Sequence, residues 1–382
     1  SRGLFRTAVV LRSGVCYNYD NKNESGIYAA DARGRLKGAA TMWEEISRRL
    51  APPDDAAMAK AKARLDSLAK LPGSLGELEN AVIRLAGFQR TDRPSIGRKT
   101  AVVFCADNGV VAEGVTPSAQ RITAAQAANF ARGGGVVNAF ARRAGAGVLV
   151  VDVGIACEYD EPRIRQKVVR RGTGSIARGP AMTREECLRG IEAGILTAAE
   201  LAENGTELAI AGEMGIGNTT TASAVSAVLL GCPPEEVTGR GAGGSGGVSH
   251  KSAVVRRALE INHPDPGDPI DILSKVGGLD IAAMCGLYLG GAAYGVAVMV
   301  DGMISSAAAL CAVRLAPLCA SALFASHCTA EKAGPRLLEA LGLRPLITAG
   351  LCLGEGTGGL LGAGLLDSAL AAYYETAALA DL

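Results

Sequence analysis

The spacing of hydrophobic residues changes along this chain of 382 residues. Residues 1–41 show no periodicity and are expected to form an irregular leader. From Met42 to Gln89 apolar residues recur every three to four positions, which is the repeat of an amphipathic helix. Three helices are predicted there, beginning at Met42, at Asp54 after two prolines, and at Gly76.

Beyond Thr100 the pattern becomes one of short apolar runs rich in β-branched residues, separated by helical stretches. This alternation is typical of strand-helix-strand units and predicts an α/β fold with a parallel sheet. The predicted strands cover residues 101–105, 147–151, 208–211, 296–300 and 346–351.

Acidic residues follow these strands closely. They are Asp107, Asp152, Glu213, Asp301 and Glu355. Because parallel sheets bind ligands at the carboxyl ends of their strands, this edge is the expected site. Each acid has an alternative role, which is to cap the next helix through its N-terminal N–H groups.

Twenty uncharged residues run from Ile281 to Val300, long enough to cross a bilayer. Four glycines interrupt the run, and its last six residues are rich in valine. We therefore predict a helix followed by a buried strand, with no membrane partner.

Composition narrows the function classes. Lys and Arg number 39 against 38 Asp and Glu, so there is no excess of positive charge for binding nucleic acid. The ten cysteines form no C-x-x-C pair and the three histidines are scattered, so no metal, no cofactor and no disulfide scaffold is predicted. The absence of a convincing signal peptide leads us to expect a cytoplasmic location. Glycine is abundant, at 50 residues, which indicates tight turns and close ligand approach.

Two glycine-rich segments could hold an anion. Residues 212–220 follow a strand and open a helix, so backbone N–H groups there could bind phosphate, although the spacing is not that of a P-loop. Residues 239–247 precede Lys251, which would suit a phosphate or a pyridine carboxylate. A flexible surface loop is the alternative for the second segment.

A third glycine-rich turn, residues 353–358, places Glu355 among small residues after an apolar run. Partial desolvation there would raise the pKa of Glu355 towards the working range of a general base. The alternative is that Glu355 caps a helix.

Taken together, these segments closely resemble the nicotinate-nucleotide:dimethylbenzimidazole phosphoribosyltransferase family from about Met42 to the end of the chain. The shared motifs occur in the family's order and are Pro72-Gly-Ser-Leu-Gly76, Ala106-Asp-Asn-Gly-Val110, Glu113-Gly-Val115, Ile122-Thr-Ala-Ala-Gln-Ala-Ala-Asn129, Asp152-Val-Gly-Ile155, Gly179-Pro-Ala-Met182, Gly212-Glu-Met-Gly-Ile-Gly-Asn-Thr-Thr220, Lys275-Val-Gly-Gly-Leu-Asp280, Ser326-His-Cys-Thr-Ala-Glu-Lys332 and Leu353-Gly-Glu-Gly-Thr-Gly358.

The resemblance implies a Rossmann-like parallel sheet flanked by helices, a smaller helical domain built from both chain ends, and a homodimer. The expected division is a leader (1–41) outside the enzyme core, N-terminal helices of the small domain (42–98), a large α/β domain with the active site (99–358), and a C-terminal helix returning to the small domain (359–382).

The resemblance also implies site residues. Glu355 corresponds to the family's catalytic carboxylate and Glu213 to a second active-site acid. Residues expected to contact the incoming base are Ser118, Gln126 and Leu353. Those expected on the nucleotide and phosphate side are Gly215, Gly217, Asn218, Thr219, Thr220, Gly241, Gly243, Lys251 and Thr329.

The implied reaction moves phosphoribose from nicotinate mononucleotide to 5,6-dimethylbenzimidazole, giving α-ribazole 5'-phosphate and nicotinate for cobalamin biosynthesis. The sequence departs from many relatives at Asn108, where they have histidine, and from some at Gly243, where they have asparagine. Other acceptors, namely benzimidazole, adenine or a phenol, therefore stay open, as do a hydrolase and an inactive nucleotide-binding module.

Overall fold

The computed structural model describes residues 9–10, 16–17, 29–30, 36–37, 40–241, 243 and 247–382, which divide into two units, residues 1–50 and 51–382. In the first unit two pairs of short antiparallel strands precede a helix. They are β1 (Val9–Val10) with β2 (Cys16–Tyr17), β3 (Ala29–Ala30) with β4 (Leu36–Lys37), and α1 (Ala40–Arg49). The helix predicted at Met42 is confirmed and begins two residues earlier. The rest of the predicted leader lies outside the described residues.

A parallel sheet forms the centre of the second unit. In the described part of the chain its six strands are β5 (Lys99–Ala106), β6 (Ala146–Gly154), β7 (Arg165–Gln166), β8 (Leu208–Met214), β9 (Ala297–Val300) and β10 (Leu323–Ala325). Their order across the sheet is β10-β9-β8-β5-β6-β7, and every pair is parallel. The predicted α/β class is confirmed, and β5 and β8 bring their carboxyl ends side by side at the centre.

One predicted strand is wrong. Residues 346–351 form only an isolated bridge between Ile347 and His327, and the edge strand is the three-residue β10 instead. Pro345 precedes the segment and Gly350 has a φ of +66°, so the extended backbone is interrupted within it. The N–H of Leu346 still bonds to the carbonyl of Ser326, at 3.1 Å, which keeps the segment beside the sheet.

Helices cover both faces of the sheet. They are α2 (Asp55–Ser67), α3 (Glu77–Gln89), α4 (Arg121–Ala131), α5 (Val136–Ala144), α6 (Arg184–Glu203), α7 (Asn218–Leu230), α8 (Pro234–Val237), α9 (Gly247–Asn262), α10 (Pro269–Val276), α11 (Leu279–Tyr294), α12 (Met303–Leu315), α13 (Gly334–Ala340) and α14 (Thr357–Glu375). Short 3-10 helices occupy Gly109–Glu113, Pro317–Ala322 and Leu379–Asp381.

Both ends of the second unit meet in one helical cluster formed by α2, α3 and α14. Arg64 on α2 donates from Nε to the carbonyl of Tyr373 on α14 at 3.0 Å, and the Tyr373 hydroxyl donates to the carbonyl of Asp92 at 2.8 Å. A backbone bridge also joins Leu68 to Ala378. The first and last helices of this unit therefore lie together.

The apolar run from Ile281 to Val300 forms α11 and then β9, as predicted. Glycines four residues apart let α11 pack directly on the backbone of α6. A Cβ on Gly286 would lie 1.8 Å from the carbonyl oxygen of Ile191, and one on Gly194 would lie 1.9 Å from that of Ala283. Among the described residues no helix is long and apolar enough to cross a membrane.

Candidate active site

The five acids predicted at the carboxyl edge of the sheet fall into two groups. Asp107 and Asp152 are fully buried and bonded to their own surroundings. Asp107 accepts hydrogen bonds from the Thr123 hydroxyl and a backbone N–H, while Asp152 accepts from two backbone N–H groups, from the Tyr159 hydroxyl and from Arg171. These two acids hold loops in place, and among the described residues neither accepts a hydrogen bond from the N-terminal N–H groups of a helix, which was the alternative considered for them. The other three converge on one turn.

That turn is the glycine-rich segment before α14. Gly354, Glu355 and Gly356 all have positive φ, at +85°, +63° and +87°. A non-glycine residue in this region is uncommon and costs roughly 1–3 kcal/mol, so it persists only where its surroundings hold it. Gly212 on β8 makes the close packing possible, because a Cβ there would lie 2.5 Å from the Glu355 carbonyl oxygen. The conformation of Glu355 is thus imposed by its surroundings.

Three contacts hold Glu355. Its backbone N–H donates to Oε1 of Glu213 at 3.3 Å, and the next N–H, of Gly356, donates to Oδ2 of Asp301 at 3.2 Å. Its side-chain Oε2 accepts the N–H of Val137, in the first turn of α5, at 3.4 Å. Oε1 of Glu355 accepts no hydrogen bond from the described residues. One carboxylate oxygen is therefore left to take a proton from a ligand.

The pKa of the Glu355 carboxyl is raised above its ordinary value. Burial is the main cause, the negative charge of Asp301 adds to it, and the N–H of Val137 acts in the opposite direction. A carboxylate with a raised pKa is a stronger base than an exposed one. The direction of this shift is the one expected from the sequence context of Glu355.

Glu213 lies beneath the turn and shares a donor with a second acid. The side-chain amide of Asn218 donates to Glu213 and, at 3.0 Å, to Oδ2 of Asp280. Burial, followed by the charge of Asp280, raises the pKa of Glu213 to about 8, and burial raises that of Asp280 to about 6. These raised pKa values favour the protonated form of Glu213 more than that of Asp280.

Asp301 follows the end of β9, and its carboxylate accepts hydrogen bonds from backbone N–H groups at the start of α14. Its Oδ1 accepts the N–H of Gly359 at 2.8 Å, in addition to the bond from Gly356. A Cβ on Gly358 would lie 2.1 Å from Nδ1 of His327 and 3.0 Å from Oδ1 of Asp301, so only glycine fits between them. Asp301 caps this helix from a different strand, and by doing so it fixes the turn that carries Glu355.

A basic group lies at the first turn of α7. Lys251 is buried and donates from Nζ to the Thr219 hydroxyl at 2.6 Å. A Cβ on Gly241 would lie 2.8 Å from this Nζ, and the N–H of Gly241 donates to Glu331 at 3.2 Å. Burial lowers the pKa of Lys251 to about 8, and a bound anion would raise it again. The structure thus brings Thr219, Gly241 and Lys251 together.

Other residues predicted on the nucleotide side have different surroundings. The Asn218 side chain turns to the two carboxylates, and the Thr220 hydroxyl is buried without a partner among the described residues. A Cβ on Gly215 would lie 2.4 Å from the Ala106 carbonyl oxygen, and Gly217 caps α7 with a φ of +95°. Gly243 has a φ of +80°, and its neighbours at 242 and 244–246 lie outside the described residues.

The residues predicted to contact the base lie on three segments. The N–H of Ser118 bonds to the Thr116 hydroxyl before α4, and Gln126 on α4 accepts from Asn129. Leu353 is 56% exposed, although it lies two residues before Glu355. On the nucleotide side, the Thr329 hydroxyl donates to the carbonyl of Leu351 at 3.0 Å.

Asn108, which the sequence led us to expect as a departure from the family pattern, lies in the turn after β5. It is buried, and its Oδ1 accepts the Thr221 hydroxyl at 3.3 Å. A Cβ on Gly278 would lie 2.5 Å from both Oδ1 of Asn108 and Oδ1 of Asp280. The side chain thus fills a tight space between α7 and the start of α11.

Sequence reasoning missed three parts of this arrangement. It left Asp280 and Asp301 without a firm role, although Asp280 ends a family motif and Asp301 directly follows a predicted strand. It could not find the contact from Val137, because that contact is made by a backbone N–H group. The side chains of the helix that contains Val137 do not indicate a functional role.

Known proteins resemble this chain over most of its length. A family model described as "Phosphoribosyltransferase" matches residues 50–381. The chain is 44% identical over 325 residues to the nicotinate-nucleotide–dimethylbenzimidazole phosphoribosyltransferase of Ruminiclostridium cellulolyticum, covering 85% of this chain and 92% of the relative. It is 45% identical over 344 residues to the enzyme of that name from Desulforamulus reducens, covering 89% and 98%.

A solved structure has the same fold. The crystal structure of the protein with this enzyme name from Thermus thermophilus superposes with a TM-score of 0.81 at 43% identity, covering 86% of this chain and 98% of the other. The residues matched by the family model include the six-stranded sheet, the strand-end carboxylates and the glycine-rich turns described above. This chain therefore belongs to the nicotinate-nucleotide–dimethylbenzimidazole phosphoribosyltransferase family.

Proposed function

We propose that this protein transfers the phosphoribosyl group of nicotinate mononucleotide to 5,6-dimethylbenzimidazole, releasing nicotinate and forming α-ribazole 5'-phosphate for cobalamin biosynthesis. The observation that carries the proposal is the Glu355 turn. A buried carboxylate with a raised pKa and one unbonded oxygen, counted over the described residues, stands beside the carboxyl ends of β8 and β9. The names of its relatives support the choice of substrates.

Only the attacking base needs a proton acceptor in this reaction. The pyridinium of nicotinate mononucleotide leaves as a neutral ring nitrogen and needs no acid. A benzimidazole attacks the anomeric carbon through one nitrogen and loses the proton of the other, and Oε1 of Glu355 takes that proton. Attack opposite to the departing nicotinate converts a β-nucleotide into an α-riboside, so holding the two rings on opposite faces of the ribose supplies much of the acceleration.

Glu213 takes the electrostatic role. Positive charge on the pyridinium nucleotide, and then on the sugar in the transition state, favours the ionised form of a nearby carboxyl and lowers its pKa. Substrate binding thus favours release of any Glu213 proton to solvent, and the resulting carboxylate is the counter-charge to the developing sugar cation. Asn218 keeps its amide against this carboxylate throughout.

The phosphate is assigned to the first turn of α7. Lys251 bonds to the Thr219 hydroxyl and lies against the bare backbone at Gly241, and a helix N-terminus favours an anion there. Gly215, Gly217 and Thr329 are retained as contacts on the nucleotide side. Ser118, Gln126 and Leu353 are retained as contacts to the base.

We further propose that the protein works as a cytoplasmic homodimer without a metal or cofactor. The dimer rests on the sequence resemblance, and the location on the free, largely buried cysteines among the described residues. The proposed domain division keeps its bounds of 1–41, 42–98, 99–358 and 359–382, and the helical cluster of α2, α3 and α14 supports its small domain.

The test is chromatographic. Purified protein is incubated with nicotinate mononucleotide and 5,6-dimethylbenzimidazole, and nicotinate and α-ribazole phosphate are followed together, with parallel reactions containing benzimidazole, adenine, phenol or no acceptor. We expect both products to form in equal amounts, fastest with the dimethylated base. Nicotinate release at the same rate without an acceptor would identify a hydrolase, and no turnover with any base would identify a binding module.

A further inference from the structure

A cavity of about 290 Å³ lies on the outer side of the edge strand β10, away from the Glu355 turn. Its walls come from α3, from β10 and from residues 342–346, which follow α13. Ile83, Phe324 and Leu343 supply apolar surface, and the polar groups are Arg84, Arg344, Glu77 and Asn80. None of these residues belongs to the site described above.

Arg84 is the unusual member of this wall. Its Nη2 donates to the carbonyls of Ala320 and Leu323, at 3.2 and 2.9 Å, and its guanidinium lies 5.8 Å from the centre of the Phe324 ring. Its Nε and Nη1 make no hydrogen bond, and the side chain forms no ion pair, among the described residues. Burial lowers the pKa of this guanidinium, and the charge of Glu77 offsets that effect only in part. A half-buried guanidinium with free N–H donors beside a cavity would be stabilised by an anion bound in that cavity.

The net charge of the residues that line the cavity indicates the charge of the anion that would bind there. Arg84 and Arg344 contribute two positive charges and Glu77 one negative charge, which leaves a net charge of +1. Glu77 already accepts the side-chain amide of Asn80 at 2.9 Å and remains as a repulsive neighbour. A monoanion matches this balance better than a phosphate dianion does. A planar carboxylate also fits the fork of donors that a guanidinium presents.

Volume and apolar surface define the rest of the ligand. Small-molecule sites commonly occupy roughly 300–1,000 Å³, so this cavity suits a single ring and is too small for a nucleotide with its solvent. We propose that the cavity is a binding site for small aromatic carboxylates, with the carboxylate on Arg84 and Arg344 and the ring against Ile83 and Phe324. This site is separate from the phosphoribosyl chemistry and does not depend on it.

The experiment uses benzoate as the probe and benzamide as its neutral isostere. Binding to the full chain is followed by calorimetry and by saturation-transfer NMR, with nicotinate mononucleotide present in excess so that the Glu355 site is occupied. We expect saturable benzoate binding and no measurable binding of benzamide, because the free donors of Arg84 need a charged acceptor.

Variants locate the binding. Arg84→Lys keeps the charge but loses the fork, and we expect it to weaken benzoate binding by about tenfold. Arg344→Glu reverses an exposed charge that has no structural partner among the described residues, so it tests the site even if Arg84 variants fold poorly. Arg256→Gln, at an exposed arginine paired with Glu235, is the matched control. Equal binding of benzamide, or benzoate binding unchanged in both Arg84→Lys and Arg344→Glu, overturns the proposal.

Discussion

The backbone N–H of Glu355 donates to the side chain of Glu213, which lies 142 residues earlier in the chain. Glu213, the proposed counter-charge, thus holds the backbone of Glu355, the proposed base. It does not contact the Glu355 carboxylate through a hydrogen bond among the described residues. The side chain of Glu355 keeps an oxygen that is free among the described residues, and its position depends on Glu213. Substitutions at the two positions are therefore expected to be non-additive.

Replacing the base should affect turnover far more than binding. Glu355→Gln keeps the shape of the side chain but cannot accept the proton of the benzimidazole, so we expect kcat to fall by about 10²–10⁴-fold. The KM for nicotinate mononucleotide should change little. Initial rates with both substrates test this, with Glu339→Gln, at an exposed glutamate on α13, as the control. A Glu355→Gln variant with wild-type kcat would remove Glu355 from the mechanism.

The raised pKa of Glu213 makes stability depend on pH. Its carboxyl titrates at about 8 in the folded protein and near 4.3 in an unfolded chain, so folding is favoured at low pH and loses stability as the pH rises between these values. Glu213→Gln removes this loss, which is on the order of a few kcal/mol. Urea unfolding at pH 5 and pH 8 measures it as a smaller pH effect in the variant. The same decline in both proteins would show that Glu213 is not protonated when folded.

Asp301 should act on the reaction through the turn that it caps. Asp301→Asn removes a negative charge that raises the pKa of Glu355, and it leaves the N–H of Gly356 or of Gly359 without an acceptor. We expect kcat to fall about tenfold through misplacement of the base, and the acidic limb of the kcat profile to move to lower pH. A purely structural residue would lower the melting temperature without moving that limb.

Replacing Lys251 should weaken the binding of substrates that carry a phosphate and leave the binding of other substrates unchanged. Loss of a charge-assisted hydrogen bond is worth roughly 1.5–3 kcal/mol, so Lys251→Met is expected to raise the KM for nicotinate mononucleotide by about 10–100-fold. The matched comparison uses nicotinate riboside, which lacks the phosphate, and Lys60→Met at an exposed lysine on α2. With the riboside, Lys251→Met and wild type should behave alike. An equal penalty on both substrates would place Lys251 elsewhere.

Removing residues 1–41 should leave kcat/KM and solubility unchanged. The family model begins its match at residue 50, and the second unit, residues 51–382, contains Glu213, Asp301 and Glu355. Steady-state kinetics of the truncated and full chains make the comparison. Loss of activity on truncation would assign residues 1–41 to the enzyme.

The sequence predicted the elements that carry strong local signals. The helix beginning at Gly76, the buried strand 101–105 and the division of the run from Ile281 to Val300 all follow from periodicity, and the structure confirms them. The edge strand β10 was missed because three residues are too short for a pattern. Residues 346–351 have the composition of a strand, but they pair with the sheet edge only through the isolated bridge between Ile347 and His327.

The site was predictable in its residue types and less so in its connections. A position just beyond a strand identified Glu213 and Asp301, but sequence alone could not tell them from Asp107 and Asp152, whose hydrogen bonds among the described residues hold other loops and do not reach the Glu355 turn. The difference lies in which distant groups reach each carboxylate. The amide of Asn218 shared between two acids is a contact of this kind, since it joins residues from separate segments of the chain.

The contact between α6 and α11 changes how the glycine content is interpreted. Abundant glycine indicated turns and ligand loops, yet Gly190, Gly194, Gly286 and Gly290 lie inside helices, where added Cβ atoms would meet the facing helix at 1.8–3.1 Å. Small residues four apart allow two helix backbones to touch. In a deep mutational scan, substitutions at these four glycines should therefore be tolerated as poorly as substitutions in the turn that carries Glu355. Conservation of these glycines would reflect the close packing of two helices. A search for active-site residues that relies on conservation would therefore have to leave these positions out.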